Sequence, residues 1–110
     1  MVVKYLMLVV ADGKPSEDPT GDDIVAWVTE MDNRGIRLFG NRVVSPDEAT
    51  TVQVRDGEVL LTDGPYAETR EQMAGFDIIE CGDLDQAIEV AARHPMARHG
   101  RIEVRPFWRE

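Results

Sequence analysis

The dipeptide Asp56-Gly57 constrains what this chain can fold into more than any other short stretch in it. It stands between two runs rich in β-branched and aliphatic residues, Thr51-Val52-Gln53-Val54-Arg55 and Glu58-Val59-Leu60-Leu61-Thr62. A two-residue type I′ loop needs positive φ at both central positions, and Asp-Gly is among the pairs that accept this. Such a turn fixes the register of both arms. Arg55 then faces Glu58, Val54 faces Val59, Gln53 faces Leu60 and Val52 faces Leu61. The opposed aliphatic pairs share one face, and an Arg55–Glu58 ion pair is expected to close the end.

The other segments are organised around this hairpin. Residues 2–10 are apolar on both alternating sets, as in a strand that is central in a sheet or covered on both faces. Residues 11–21, with Pro15 and Pro19, read as a loop. Ile24, Trp27, Val28 and Met31 then repeat at the spacing of one helix face. Asp22 and Asp23 sit where carboxylates favour the helix start, and Gly35 is placed as the residue just past its end. Trp27 is read as core. Residues 36–44 read as a strand with a bulge at Gly40-Asn41, and Ser45-Pro46-Asp47-Glu48 as a turn. Residues 76–81 form a further strand. Asp83 and Gln86 have capping-box spacing at the start of a second helix, whose expected inner stripe is Leu84, Ala87, Ile88 and Ala91. Pro95 marks its end, and residues 101–107 alternate as a half-buried strand.

Setting the hairpin aside leaves β-α-β-β-α-β, the ferredoxin-like split unit of the α+β class, with residues 1–110 forming one domain. Two helices on one face of an antiparallel sheet leave the other face bare. A chain of 110 residues that is 43% hydrophobic builds only a thin core. A homodimer with the two sheets packed face to face is the expected remedy.

A net charge of −9 argues against binding to nucleic acid, where Lys and Arg must replace counterions, and against anionic membrane surfaces. The apolar run at residues 2–10 lacks a basic leader and is too short to span a bilayer. Cys81 is the only cysteine, so no intrachain disulfide can form, which fits a reducing cytoplasm.

Residues 61–76 concentrate the polar chemistry. Asp63-Gly64-Pro65 suits a tight turn on backbone grounds alone. It also sets Asp63 and Tyr66 where a carboxylate and a phenol can line a cleft mouth. Glu68, Arg70 and Glu71 read either as a solvated polar segment or as one facing a pocket. No Asp-x-Asp-x-Asp loop and no His/Cys cluster is present, so no metal site is expected. His94 and His99 are the only histidines. His94 closes the second helix, where an imidazolium would meet the negative end of the macrodipole. Cys81 reads as a small buried hydrophobe. No Ser–His–Asp order, Walker loop or dinucleotide fingerprint appears, and no cofactor is expected.

The stretch Val54-Arg55-Asp56-Gly57 through Leu61-Thr62-Asp63-Gly64-Pro65-Tyr66-Ala67-Glu68-Thr69-Arg70-Glu71-Gln72-Met73-Ala74-Gly75-Phe76 resembles the signature of the YCII-related, or DGPF-domain, proteins. Asp83-Leu84-Asp85-Gln86-Ala87, Ala92-Arg93-His94-Pro95 and Gly100-Arg101-Ile102-Glu103-Val104-Arg105-Pro106 resemble the rest of that pattern. The resemblance implies a ferredoxin-like fold that dimerises as an α/β barrel, without fixing an activity. Related YciI-type proteins have been proposed to be enzymes on the strength of a His–Asp pair in a cleft, a pair that does not carry over to this sequence. Here no His precedes His94, and Tyr66 stands where the family motif has Phe. DGPF-type relatives are associated with alternative sigma factors through gene neighbourhood. Two readings follow. One is a small-molecule pocket in each subunit, lined by Asp63, Tyr66, Glu68 and Phe76, with cofactor-free acid–base chemistry on Asp63 first and His94 second. The other is a non-catalytic regulatory module that binds a protein partner.

Overall fold

The computed structural model describes residues 2–11, 21–65 and 72–108. The elements run β1 (Val3–Ala11), α1 (Gly21–Asn33), β2 (Arg37–Arg42), a 3-10 turn (Pro46–Glu48), β3 (Thr50–Arg55), β4 (Glu58–Asp63), β5 (Gln72–Cys81), α2 (Leu84–Ala92), α3 (Met96–His99) and β6 (Gly100–Pro106). Four strands form one antiparallel sheet in the order β2-β5-β1-β6, and β3-β4 form a separate pair. With the β3-β4 pair set aside, the order of elements and strands is compatible with a ferredoxin-like α+β fold.

β1 lies in the middle of the sheet, paired to β5 on one side and β6 on the other, which explains its apolar character on both alternating sets. Tyr5, Met7 and Val9 point under the helices and are buried. Leu6, Leu8 and Val10 point the other way and are half-buried. The core joins these residues to Trp27 and Met31 of α1, Ile79 and Cys81 of β5, and Ala87, Val90 and Ala91 of α2. The Trp27 indole N–H donates to the Val90 carbonyl at 3.1 Å, so the two helices are joined by a hydrogen bond as well as by packing.

α1 ends in a Schellman pattern at Gly35. The Ile36 N–H bonds the Met31 carbonyl at 3.0 Å, and the Gly35 N–H bonds that of Asp32 at 3.1 Å. At the start of α2, the Asp83 carboxylate accepts from Gln86 N–H at 2.9 Å, a cap worth about 1 kcal/mol. The Gln86 side chain reaches back one residue further than a capping box requires, to Gly82 N–H at 2.7 Å. The inner stripe of α2 differs from the expected one. Ala87, Val90, Ala91 and, just past the helix, His94 are buried, whereas Leu84 and Ile88 are 50% and 52% exposed. Small Ala side chains let α2 lie close to the sheet, and the larger aliphatics are turned outward.

The β3-β4 hairpin has the register read from the sequence, with Val54 opposite Val59 and Val52 opposite Leu61. Asp56 and Gly57 take φ of 52° and 79°, as a type I′ turn demands. The Arg55–Glu58 ion pair is not formed. The Arg55 guanidinium instead bonds the Val54 carbonyl at 2.9 Å. Nearly every residue of both arms is exposed, including Val52, Val54, Val59, Leu60 and Leu61. The hairpin thus lies apart from the core, and the radius of gyration is 15.9 Å, against about 13 Å for a compact chain of this length.

The bulge in β2 falls between Arg37 and Phe39, not at Gly40-Asn41. Its effect is specific. Residues two apart on a strand share a face, but the extra residue sets Arg37 with Ile79 under the helices and Phe39 with Ile78 on the open face. There the Phe39 ring meets Phe76, with centroids 5.8 Å apart.

Candidate functional site

A cavity of about 680 Å³ opens between α1 and the end of the sheet where β2 stops and β5 begins. Its volume is in the range of small-molecule sites. Its apolar wall includes Ile24, Val28 and Met96, and its chemistry comes from Arg37, Asp77 and His94.

Asp77 is 6% exposed. Its strand position alternates with Ile79 and Cys81, so the backbone directs it beneath the helices. There Arg37 Nε donates to Oδ1 at 2.8 Å. Arg37 is held in turn by Asp32 Oδ1 at 3.2 Å and by the Gly40 carbonyl at 2.8 Å. Gly40 is required by this crowding, because a Cβ there would come within 2.1 Å of Asp77 Oδ1. Burial pushes the Asp77 carboxyl above its ordinary value, against the opposing pull of Arg37. Burial also weighs against the Arg37 charge, but the carboxylates of Asp77 and Asp32 more than reverse it, and its pKa rises. Asp77 Oδ2 takes part in no hydrogen bond among the described residues.

His94 is 4% exposed and follows α2. Its Nδ1 accepts the Met96 N–H at 3.0 Å, and its ring meets Trp27 edge-on at 4.6 Å. Burial lowers its pKa from the ordinary 6.5 to about 4. Near neutral pH the ring is therefore uncharged. The imidazolium expected at the helix end does not form there, because desolvation outweighs the macrodipole. With Nδ1 engaged as an acceptor, the single ring proton belongs on Nε2, which makes His94 a neutral hydrogen-bond donor.

The residues singled out in the sequence fall in different places. His94 lines the cavity, and Phe76 borders it on β5 with its ring turned to the opposite sheet face against Phe39. Asp63 ends β4, exposed and opposite Thr50, and is not among the lining residues. The turn beside it is tied to the hairpin root, with Gly64 N–H on the Ala49 carbonyl at 2.7 Å and Thr51 Oγ1 on the Gly64 carbonyl at 2.8 Å. Tyr66, Glu68, Arg70 and Glu71 lie outside the described residues. Cys81 is buried in the core, and burial pushes its thiol pKa up. His99 Nδ1 is buried without a hydrogen-bond partner among the described residues. No group of three or more His, Cys, Asp or Glu side chains among the described residues is arranged to hold a metal ion. Asp77 and Arg37 were missed in the sequence reading. One signal was there: Asp77 is on the same alternating set as Ile79 and Cys81, whereas the other acid of the strand, Glu80, is on the opposite set.

The sequence profile of the YCII-related domain matches residues 3–110. The chain belongs to the YCII-related family. An uncharacterized protein of Rhizobium meliloti (strain 1021) is 42% identical over 68 residues, which is 60% of this YCII-related chain and 55% of that protein. The chain thus spans about half the length of that relative. No helix among the described residues is long and apolar enough to cross a membrane.

Proposed function

We propose that this YCII-related protein is a cytoplasmic homodimer with one small-molecule site per subunit, and that the site carries cofactor-free proton transfer on a small carbonyl compound. One observation carries the chemical part. A buried carboxyl with a raised pKa, one of whose oxygens takes part in no hydrogen bond among the described residues, shares a cavity with a neutral imidazole that keeps an N–H donor. A general base is most useful when its pKa is raised toward the working pH. Asp77 Oδ2 takes a proton from carbon, the electron pair moves onto the carbonyl oxygen, and His94 Nε2–H stabilises the resulting enolate. The proton then returns to the same or a neighbouring carbon, so the reaction is an isomerisation or exchange and needs no co-reactant. Arg37 fixes the carboxyl and leaves Oδ2 available.

The dimer is supported by two apolar surfaces. Leu6, Leu8, Phe39 and Phe76 lie on the uncovered sheet face, and the hairpin exposes five large aliphatic side chains. A two-stranded hairpin on its own is marginal in water. Sedimentation at micromolar concentration should give the mass of two chains, and a monomer at every concentration sinks that part of the reading.

Deuterium uptake from D₂O into a panel of small ketones and keto acids, followed by NMR, tests the chemistry. Wild type should speed the uptake. Asp77→Asn should abolish the acceleration, and Asp63→Asn should leave it unchanged. No acceleration by wild type, or an undiminished rate in Asp77→Asn, overturns the assignment. A second reading, a non-catalytic module for a basic protein partner such as a sigma factor, draws on the exposed Leu84 and Ile88 of α2 and on the charge of −9. A stoichiometric complex formed by a variant without exchange activity would favour it.

A further inference from the structure

We infer that the cavity selects an organic anion, a carbonyl compound of a few carbons bearing a carboxylate, and that Arg42 holds the carboxylate. This rests on the proton-transfer reading of the same site. The first support is charge. The chain as a whole carries −9, yet among the described residues the ionised groups lining the cavity are two guanidiniums, Arg37 and Arg42, against one carboxylate, Asp77. Arg37 is neutralised by Asp77 and Asp32, which leaves the positive charge of Arg42.

The second support is the state of Arg42. Its main-chain N–H bonds the Asn41 side chain at 2.9 Å. Its guanidinium has no hydrogen-bond or ion-pair partner among the described residues, and it borders both the main cavity and an adjoining cleft of about 380 Å³. A guanidinium presents a planar fork of donors that matches a carboxylate in a bidentate pair.

The third support is spacing. Gly40 faces Asp77 across the strand pair, and Arg42 faces Gly75, so Arg42 lies two residues along the same strand face. That is about 7 Å along the strand. A molecule of a few carbons spans it, with its carboxylate on Arg42, its acidic carbon at Asp77 and its carbonyl oxygen at His94. The apolar wall of Ile24 and Val28 then receives the carbon chain.

The test pairs pyruvate and 2-oxobutyrate with the neutral analogues methyl pyruvate and 2-butanone. Binding to the full chain is read at millimolar ligand from the ¹⁵N shifts of the Arg42 side chain and the His94 ring. The carboxylates should shift both signals, with affinity that weakens as salt is raised. Arg42→Gln should lose about ten- to hundredfold in affinity for the carboxylates and nothing for the neutral compounds. Arg42 is exposed and has no side-chain partner among the described residues, so the variant should fold as wild type does. Arg42→Lys should restore part of the loss. Equal binding of neutral and charged compounds, no effect of Arg42→Gln, or no perturbation by either carboxylate each overturns the inference. Asp77→Asn separates it from the proton-transfer reading, because that variant should still bind the carboxylates while deuterium uptake stops. Carboxylate binding that depends on Arg42, with no uptake in wild type, sinks the catalytic reading and leaves this one standing.

Discussion

The β3-β4 hairpin and the cavity beneath α1 are built on opposite principles. In the hairpin everything is local. Two residues with positive φ set the turn, and the pairing of twelve others follows from them. Yet both arms lie apart from the core. In the cavity nothing is local. Arg37 and Asp77 are forty residues apart in the chain and 2.8 Å apart in space, and His94 arrives from the end of another helix. Local chemistry gives the hairpin a definite shape and a surface without a partner among the described residues. Long-range packing gives the cavity its buried charges. A shape can therefore be well specified where the fold gains little from it, while the groups best suited to chemistry are brought together by packing that no short motif encodes.

Breaking the buried ion pair should have the largest effect. Arg37→Ala leaves Asp77 buried without its partner and should cost about 3–5 kcal/mol in urea unfolding. A loss no larger than that of an average exposed substitution would show that the pair is as weakly coupled to the fold as the hairpin is. The next effect is a dependence on pH. His94 stays neutral in the fold down to about pH 4, whereas the unfolded chain takes up that proton near 6.5. The unfolded state binds more protons in that window, so this contribution to stability is complete above pH 6.5 and is lost as pH falls toward 4. Its full span is about 3 kcal/mol. Asp77 acts with the opposite sign. Its folded pKa is raised, so its contribution is present below the ordinary 3.8 and is lost as pH rises through the folded value. Unfolding midpoints measured across this range should show only the falling slope in His94→Gln and only the rising slope in Asp77→Asn.

Predictions for the hairpin are smaller. Val59→Thr with Leu61→Gln should change monomer stability by about 0.5 kcal/mol or less, but should raise the dimer dissociation constant about tenfold, read by sedimentation. An unchanged constant would remove the hairpin from the interface. Gly57→Ala places a Cβ at φ 79° and should cost about 1 kcal/mol. The smallest value expected is the coupling of Arg55 and Glu58 in a double-mutant cycle, near zero, because Arg55 bonds the Val54 carbonyl instead.

How much was readable in the sequence follows the same division. The central strand, both helices, the Gly35 helix end, the Asp83 cap and the hairpin register all rest on signals a few residues long, and all are present in the structure. The inner stripe of α2 was misread because Leu84 and Ile88 outweigh Val90 and His94 in hydrophobicity, although the tight fit to the sheet favours the face carrying Ala87 and Ala91. The bulge was misplaced because Gly40 invites one. Gly40 proved to be needed for the close approach of Asp77, while the bulge falls just before Phe39, where the chain must send Arg37 and Phe39 to opposite faces. Asp63 drew attention as a carboxylate in a turn. Asp77 did not, because its significance depends on which face of the sheet the helices cover.

The edge-on contact between Trp27 and His94 gives the molecule an optical reporter of its own site. A protonated imidazole quenches a neighbouring indole far more strongly than a neutral one does. Trp27 is buried and should emit toward the blue, whereas Trp108 is 91% exposed and should emit toward the red and be open to quenchers dissolved in water. Acrylamide can silence Trp108 and leave Trp27 visible. The blue emission then tracks the charge on one ring nitrogen, and with it the electrostatic state of the cavity, without any label.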